Sequence, residues 1–338
     1  MKNILLQFGF DENSCMVKPF GSGLINSTWL VETKIEKYIL QRVNTDIFKD
    51  PGNIAFNIRL IGDYLKEHFP EYLFTTPRNT ADGNALFKTN ENYFRIFPFI
   101  ENSHTIDVVE KPEQAYEAAK QFGRFTKLLS GFDAGSLKIT LPDFHNLALR
   151  YQQFEDALQN GDADRIKESE SLIGFVKQHK QIVEEFELAK PKLRIRCTHH
   201  DTKISNVLFD ENNKGLCVID LDTVMPGYFI SDVGDMMRTY LSPVSEEESD
   251  FSKIEVRQEF YDAIREGYLS EMGGELNETE KNYFHYAGKF MAYMQVIRFL
   301  TDHINNDRYY GAKYEGHNFI RAGNQATLLQ RLIEINPG

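Results

Sequence analysis

Two carboxylates and one amide stand around a short hairpin-like passage, and together they could bind a metal ion. Asp201 lies five residues before Asn206, which opens the apolar run "NVLFD", and Asp220 closes the next run, "LCVID". The polar segment "ENNKG" between the runs predicts a turn, and strand pairing across it would bring the three side chains to one point. Carboxylate and amide oxygens are hard donors that suit Mg²⁺ rather than zinc. A protein-bound Mg²⁺ normally also takes phosphate oxygens from a substrate.

The same stretch, "THHDTKISNVLFD" (198–210), permits two other interpretations. His199 and Asp201 form an H-x-D pair, which also begins the iron site of two-histidine, one-carboxylate oxygenases. That site needs a β-rich barrel with a distal histidine, whereas this chain is mainly helical after its first hundred residues. The other interpretation is a polar turn with carboxylates placed by chance, which three groups at these spacings disfavour.

The elements that must position these residues divide into two lobes. At 338 residues the chain is long for one compact domain. Its first hundred residues are strand-rich, with one helix whose apolar residues recur every three to four positions. The predicted strands are 27–33, 37–43, 84–89 and 92–100, and the predicted helix is 53–69.

The rest of the chain is mainly helical and carries one β-rich passage, 193–224, which contains the hairpin. The predicted helices are 111–132, 145–159, 164–190, 253–270, 278–305 and 317–335. We therefore predict an α+β chain with a small β-rich lobe over 1–100 and a larger helical lobe over 101–338.

Composition narrows the class of protein. The net charge is −12, which disfavours nucleic acid as a partner because phosphate contacts need clustered Lys and Arg. The acidic run 245–250 is expected to lie in solvent. No signal peptide and no membrane-spanning run are visible, and three scattered cysteines predict no disulfide framework. We expect a soluble, cytoplasmic protein that is a monomer or a weak dimer.

Several motifs resemble those of known phosphotransferases. The aspartate–four residues–asparagine spacing, with His199-His200-Asp201 and Lys203, resembles the catalytic loop of the protein-kinase-like fold. "VIDLD" (218–222) and "DVGDMMR" (232–238) are similar to the metal-binding and following segments of the aminoglycoside phosphotransferase and choline kinase branch. Within that branch, "HHDTKISNVLFD…VIDLDTVMPG" and "RFLTDHINNDRYYG" look most like the N-acetylhexosamine 1-kinases.

The resemblance implies a protein-kinase-like two-lobe fold and ATP- and Mg²⁺-dependent phosphorylation of the anomeric hydroxyl of N-acetylglucosamine or N-acetylgalactosamine. Asp201 would accept the hydroxyl proton, and Lys203 would neutralise charge on the γ-phosphate. Asn206 and Asp220 would hold magnesium against the ATP phosphates. His199 would brace the loop by hydrogen bonding.

For the nucleotide, the resemblance points to Gly21-Ser22-Gly23 as the phosphate-covering loop, because a backbone without side chains can approach phosphates closely. No P-loop motif is present. Kinase-like folds carry a lysine or arginine on the third strand, where this chain has Gln41 followed by Arg42. We predict that Arg42 serves the phosphates, since ATP needs countercharge.

Two further expectations concern the surroundings of the nucleotide. The acidic partner of the strand-three cation would be Asp63 or Glu67 on the following helix, although both are equally consistent with exposed helix charges. The segment 95–101 would form the hinge between the lobes, with backbone groups that bind adenine.

On the acceptor side, Asp222 and Thr223 either face the sugar or pin the loop. Arg298 and Asp302 share one helix face and either contact the substrate or form a surface ion pair. Alternative functions are phosphorylation of another small alcohol, namely an aminoglycoside, choline or homoserine, or a catalytically inactive kinase-like binding module. Asp232 and Asp235 are expected to cap a helix and to hold the catalytic loop by hydrogen bonds.

Overall fold

A five-stranded antiparallel sheet forms the core of the small lobe. The computed structural model describes residues 1–11, 15–21, 25–90 and 92–335. The strands are β1 (Met16–Pro19), β2 (Ser27–Glu32), β3 (Lys37–Val43), β4 (Phe87–Thr89) and β5 (Asn92–Pro98). Their order in the sheet is β1-β2-β3-β5-β4, so β3 and β5 lie side by side although a helix and β4 separate them in sequence. The strand predictions are confirmed, and β1 is an additional edge strand.

The two faces of this sheet have different neighbours. On β3, Leu40 is fully buried and belongs to a small core with the short helix α1 (Lys2–Gln7). Val43, on the opposite face by strand alternation, packs into the main core with α2 (Pro51–His68). Gln41 shares the face of Val43, and it lies directly opposite Arg95 on β5. This face of the sheet is the one turned toward the large lobe.

Helix α2 connects the sheet to the large lobe. It begins at an Asp50 cap, whose side chain accepts from the Gly52 N–H, with proline at the first helical position. Its Asn57 side chain is completely buried and donates to Lys138 O (2.8 Å) and to Val224 O (3.0 Å). Val224 follows the predicted metal-binding motif, so α2 is tied to that motif by a buried hydrogen bond.

The large lobe is helical. Its helices are α3 (Pro112–Leu128), α4 (Leu147–Asn160), α5 (Ala163–Glu168), α6 (Glu170–Gln178), α7 (Gln181–Ala189), α8 (Phe229–Tyr240), α9 (Gln258–Met272), α10 (Glu278–Asn282), α11 (Phe284–Ile304) and α12 (His317–Glu334). Helix α11 is apolar nearly all round and is buried along most of its length between α8, α12 and α4. The predicted two-lobe α+β organisation is confirmed.

Two predicted helices differ from the structure, and one helix was not predicted. The predicted helix 164–190 is three short helices, α5 to α7, because the backbone leaves helical geometry at Ser169 (φ −88°, ψ 5°) and at His179 (φ −101°, ψ 16°) while the apolar pattern continues across both. The predicted helix 278–305 breaks similarly at Tyr283. Helix α8 was not predicted as an element, since its buried aspartates interrupt the apolar pattern.

Two small sheets in the large lobe position the predicted catalytic loop, residues 199–206. Strands β7 (Val207–Phe209) and β8 (Gly215–Val218) form the predicted hairpin, with Val207 opposite Val218. Strand β6 (Arg196–Thr198), before the loop, pairs with β9 (Met225–Gly227), after the metal-binding motif. Strand pairing therefore fixes both ends of the segment 199–224, which contains the predicted catalytic loop and the predicted metal-binding motif. Among the described residues, no helix has the length and apolar character needed to cross a bilayer.

Candidate active site

Carboxylates on α8 hold the backbone of the catalytic loop. Asp232 accepts from the N–H groups of His199 (3.0 Å) and His200 (2.7 Å), and Asp235 accepts from Thr202 N–H (2.8 Å). Both aspartates are buried, and His200 has a φ of +67°, which is uncommon for a residue with a side chain. The expected hydrogen bonds to the loop are present, but the aspartates lie within α8 rather than serving as its cap.

Asp235 belongs to a network of ion pairs with two arginines and one glutamate. Arg238 pairs with Asp235 (2.9 Å) and with Glu246 (2.7 Å), and Glu246 also pairs with Arg321 on α12. The acidic run 245–250 was expected to be solvated throughout. That expectation is wrong for Glu246, whose two arginine partners draw it into the protein.

Asp201 lies between these supports with its carboxylate partly open to solvent. Its side chain is 24% exposed, and one oxygen lies 3.1 Å from Lys203 Nζ. Its backbone carbonyl accepts from Asn206 Nδ2 at 2.9 Å, so the asparagine amide is held with its nitrogen toward the loop and its oxygen left to accept other groups. Asp201, Lys203 and Asn206 are thus brought together, as the spacing predicted.

Asp220 brings a second carboxylate to this point. It follows β8 in a left-handed conformation, with a φ of +59°. Burial, and then the negative charges of Asp222 and Asp201, raise its pKa to about 7, while Lys203 and Arg95 act in the opposite direction. The region therefore gathers more carboxylate charge than its cations balance, which is the electrostatic condition for binding a cation.

The donors fit magnesium better than a metal held by protein alone. Within the described parts of the chain, no group of three or more His, Cys, Asp or Glu side chains forms a ready-made metal site. Asp220 and Asn206 offer one carboxylate and one amide oxygen. Mg²⁺ commonly binds one or two carboxylates and completes its shell with water and substrate phosphates.

His199 and Thr223 form hydrogen bonds within the loop. His199 is buried, and its Nε2 donates to Ile219 O at 2.9 Å, next to Asp220. Thr223 Oγ1 donates to His199 O at 2.7 Å. These contacts correspond to the predicted brace and to the loop-pinning alternative for Thr223.

Asp222 is engaged by the small lobe. One of its oxygens lies 2.6 Å from Arg95 Nη2, and the other accepts from Asn26 Nδ2 at 2.8 Å. The Arg95 Nε also donates to Gln41 Oε1 at 3.0 Å. Side-chain exposure is only 3% for Arg95 and 2% for Asp222. These contacts correspond to the loop-pinning alternative for Asp222, and contact with the sugar stays a prediction. Arg95 is a charged residue whose role sequence analysis missed.

The structure does not place Arg42 where the sequence predicted. Arg42 lies on the opposite face of β3 from Gln41 because neighbouring strand residues alternate, and its exposed side chain donates to Ser27 Oγ at 3.0 Å. The expected acidic partners, Asp63 and Glu67, are exposed on α2. The cation on the inward face is Arg95 instead.

The other residues predicted to bind the nucleotide are the glycines of the loop before β2 and the segment between the lobes. Gly21 is exposed and has a φ of +76°, which glycine adopts without strain. Gly23 lies outside the described residues. The expected hinge 95–101 begins too early, since β5 extends to Pro98, and adenine binding by the segment stays a prediction.

On the acceptor side, Arg298 occupies an aromatic box. Its Cζ lies 5.6 Å from the ring centroid of Phe144, 5.7 Å from that of Tyr309 and 5.3 Å from that of Tyr310. Phe144 is 6.5 Å from the ring of His200, the residue before Asp201. The box therefore lies beside the catalytic loop.

Arg298, Tyr309 and Tyr310 of the box line a cavity of about 460 Å³. Arg150 lies on the same cavity, and burial followed by the charge of Arg298 lowers its pKa. Asp302 also lines the cavity, but its two oxygens accept from Tyr309 N–H (2.7 Å) and Tyr310 N–H (2.8 Å). The surface ion pair, one of the two alternatives for Arg298 and Asp302, is not formed: the carboxylate binds the backbone of the tyrosine loop and the arginine packs on its rings. Contact with the substrate stays a prediction.

The close approach of β9 to the catalytic loop makes Gly227 a sensitive position. A Cβ there would overlap Thr198 Oγ1 and the His200 ring, which are hydrogen-bonded to each other at 2.9 Å. We expect Gly227→Ala to lower the free energy of unfolding by about 1–3 kcal/mol and to reduce kcat, as measured by chemical denaturation and turnover. Gly174→Ala, on α6 with open space around it, is the matched control and should not destabilise. Equal stability of both variants would contradict this packing.

Comparison with known proteins adds a family and a fold. The sequence profile of the phosphotransferase enzyme family (APH) matches residues 16–275. Three solved structures are similar over nearly the whole chain. They are a microcompartment-associated aminopropanol kinase (TM-score 0.67, 15% identity, 98% of this chain and 96% of that one), a spectinomycin phosphotransferase in complex with ADP and spectinomycin (0.62, 12%, 99% and 98%) and an ethanolamine kinase from Plasmodium vivax (0.58, 15%, 96% and 86%). The predicted kinase-like fold is confirmed, and the oxygenase interpretation is wrong.

Proposed function

Because the chain belongs to the phosphotransferase enzyme family and transfers phosphate to an alcohol acceptor, we propose that the acceptor is an N-acetylhexosamine. The reaction would be ATP- and Mg²⁺-dependent phosphorylation of the anomeric hydroxyl of N-acetylglucosamine or N-acetylgalactosamine, giving the sugar 1-phosphate. The ADP bound in the spectinomycin phosphotransferase supports ATP as the donor.

Asp201 carries the chemistry at the acceptor. Its carboxylate is accessible while its backbone is fixed on both sides by α8, so it can orient the hydroxyl and take up its proton as the new O–P bond forms. The proton moves from the anomeric oxygen to Asp201 and later to solvent. Lys203, which is 3.1 Å away, would balance charge on the transferred phosphoryl group.

Asn206 and Asp220 would hold the magnesium ion. When bound, the ion would neutralise the nucleotide phosphates and the surplus carboxylate charge around Asp220. Gly21 would lie over the same phosphates, with Lys203 and the magnesium ion as their countercharge, while Arg95 remains paired with Asp222.

The occupied aromatic box is the observation that favours an uncharged acceptor. Choline recognition relies on aromatic rings that surround a ligand cation, but here Phe144, Tyr309 and Tyr310 already surround Arg298. Arg150 adds a second positive charge to the same cavity. Asp156 and Asp302 also line this cavity, so the positive charges of the two arginines are balanced. The guanidinium groups can donate to the carbonyl oxygen of an N-acetyl sugar, whereas an ammonium group offers them no acceptor. The residues of "RFLTDHINNDRYYG" that carry the likeness to N-acetylhexosamine 1-kinases include Arg298, Tyr309 and Tyr310.

A panel of acceptors with purified protein, ATP and Mg²⁺ tests this proposal. We expect N-acetylglucosamine or N-acetylgalactosamine to exceed choline, ethanolamine and an aminoglycoside in kcat/KM by about 100-fold or more. Product should be a phosphate at the anomeric position, identified by ³¹P and ¹H NMR. Arg298→Ala would remove the guanidinium from the box. It should lower kcat/KM for the amino sugar and reduce the ratio of kcat/KM for the sugar to kcat/KM for choline.

Phosphorylation of choline or an aminoglycoside without phosphorylation of either amino sugar would contradict the proposal. A preference unchanged in Arg298→Ala would show that the box does not select the acceptor. Asp302→Asn is a useful companion, because it should disorder the tyrosine loop and raise the KM of the sugar without adding or removing a cation in the box.

A further inference from the structure

We infer that Arg95 and Asp222 are positioning residues that link the two lobes and fix the direction of the metal-binding carboxylate of Asp220. The inference rests on the proposed Mg²⁺-dependent reaction. Arg95 differs from the lysine or arginine that kinase-like folds carry on the third strand, because Arg95 lies on β5.

The first step is the placement of the cation on β5 and of a neutral glutamine opposite it on β3. Gln41 stands where the resemblance places the cation of β3, and Arg95 is its direct partner on β5. Side chains opposite each other in an antiparallel pair point to the same face. A guanidinium on β5 can therefore present its charge to the same space as a lysine on β3, and the 3.0 Å hydrogen bond to Gln41 holds it there.

The second step is the link from Arg95 to the metal motif. Asp222 lies two residues after Asp220, in a short 3₁₀ turn over 221–223. The turn is held from the small lobe at Asp222, by Arg95 and Asn26, and from α2 at Val224, through Asn57. Asp220 precedes these anchors in a left-handed conformation, so the anchors determine where its carboxylate points.

The third step is charge. A buried carboxylate without a positive partner is strongly disfavoured. Without Arg95, Asp222 would keep its hydrogen bond from Asn26, but no cation would balance its negative charge beside Asp220. The ion pair cancels the charge of Asp222 locally. It thereby leaves Asp220 as the carboxylate available to a divalent cation, and it makes the contact between the lobes part of the support of the metal site.

Calorimetric titration of a non-hydrolysable ATP analogue at several Mg²⁺ concentrations tests this inference without any acceptor. We expect Arg95→Gln and Asp222→Asn each to weaken Mg²⁺-dependent nucleotide binding by about 10–100-fold, the range found for outer partners of metal ligands. The KM of the acceptor should change little. Adding Gln41→Lys to Arg95→Gln should recover part of the loss, because it returns a cation to the same face. Lys88→Gln, an exposed cation on β4, is the matched control.

Folding is controlled with the pair variant. Arg95→Gln with Asp222→Asn removes both charges and should be more stable to heat than either single variant, since breaking one side of a buried pair leaves an unpaired charge. It should still bind the nucleotide with weakened Mg²⁺ dependence. Unchanged Mg²⁺ dependence in folded Arg95→Gln, or a loss in Arg42→Gln instead, would overturn the inference. A wild-type protein that binds Mg²⁺ and nucleotide normally but phosphorylates no amino sugar would overturn the proposed function alone.

Discussion

Asp201→Asn is expected to lower kcat by about 10²–10⁴-fold while nucleotide binding is retained. Asparagine has nearly the same shape as aspartate, and the loop is held by contacts that do not use the Asp201 side chain. These contacts are the N–H groups of His200 and Thr202 on the α8 carboxylates and the Asp201 carbonyl on Asn206. Loss of turnover would therefore reflect loss of the proton acceptor rather than loss of the loop. Steady-state kinetics and calorimetric nucleotide affinity measure the two quantities.

The matched control for this variant is Asp164→Asn, which removes an exposed carboxylate from α5. Its kcat should equal that of the wild type. Asp201→Asn would keep full activity if the chain only bound ligands through this loop and transferred phosphate by other groups, and that result would contradict the assigned role. A parallel loss of nucleotide affinity would instead indicate that Asp201 contributes to the metal site.

The local part of the site could be predicted from sequence. The apolar runs around 207–209 and 215–218 and the polar turn between them determine a hairpin, which brings Ile219, the neighbour of Asp220, into hydrogen bonding with the Asn206 carbonyl. The same holds for Asp201 and Lys203, which lie within five residues of Asn206. Short-range spacing constrains such groups because few backbone paths connect them.

The inter-lobe part of the site could not be predicted from spacing. Arg95 and Asp222 meet only because β5 lies beside β3 and because α2 holds the turn at 221–223, and neither fact follows from local pattern. The choice of Arg42 over Gln41 relied on charge alone. The strand alternation that puts Gln41 inward was visible, but the cation that compensates for it comes from another strand.

The acceptor side shows a similar limit. Arg298 and Asp302 lie four residues apart, which at sequence level is equally typical of a surface ion pair. Their burial follows from α11 being surrounded by other helices, and their partners Tyr309 and Tyr310 come from the loop after that helix. Periodicity identified the helix, but which of its polar residues face a cavity depends on tertiary packing.

Asp220→Asn is expected to lower kcat/KM for ATP by about 10²–10³-fold and, in the metal-free protein, to raise the melting temperature. Both effects have one cause. Although Asp220 is partly open to solvent, desolvation and then the neighbouring Asp222 and Asp201 raise its pKa to about 7, so its ionised form is less favourable near neutral pH without a cation. Asparagine removes that repulsion, and it also removes the charged ligand that makes magnesium binding favourable.

Thermal unfolding with a chelator, and then with excess Mg²⁺ and ATP analogue, separates these effects. The wild type should gain stability from the added ligands, because ligand that binds only the folded state stabilises it, whereas Asp220→Asn should gain much less. Asp262→Asn, an exposed carboxylate on α9, should behave like the wild type in both conditions. A metal-free Asp220→Asn protein less stable than the wild type would mean that the carboxylate has a structural partner. Equal stabilisation of both proteins by Mg²⁺ and nucleotide would exclude Asp220 as the metal ligand and leave Asp201 and Asn206 as the remaining candidates.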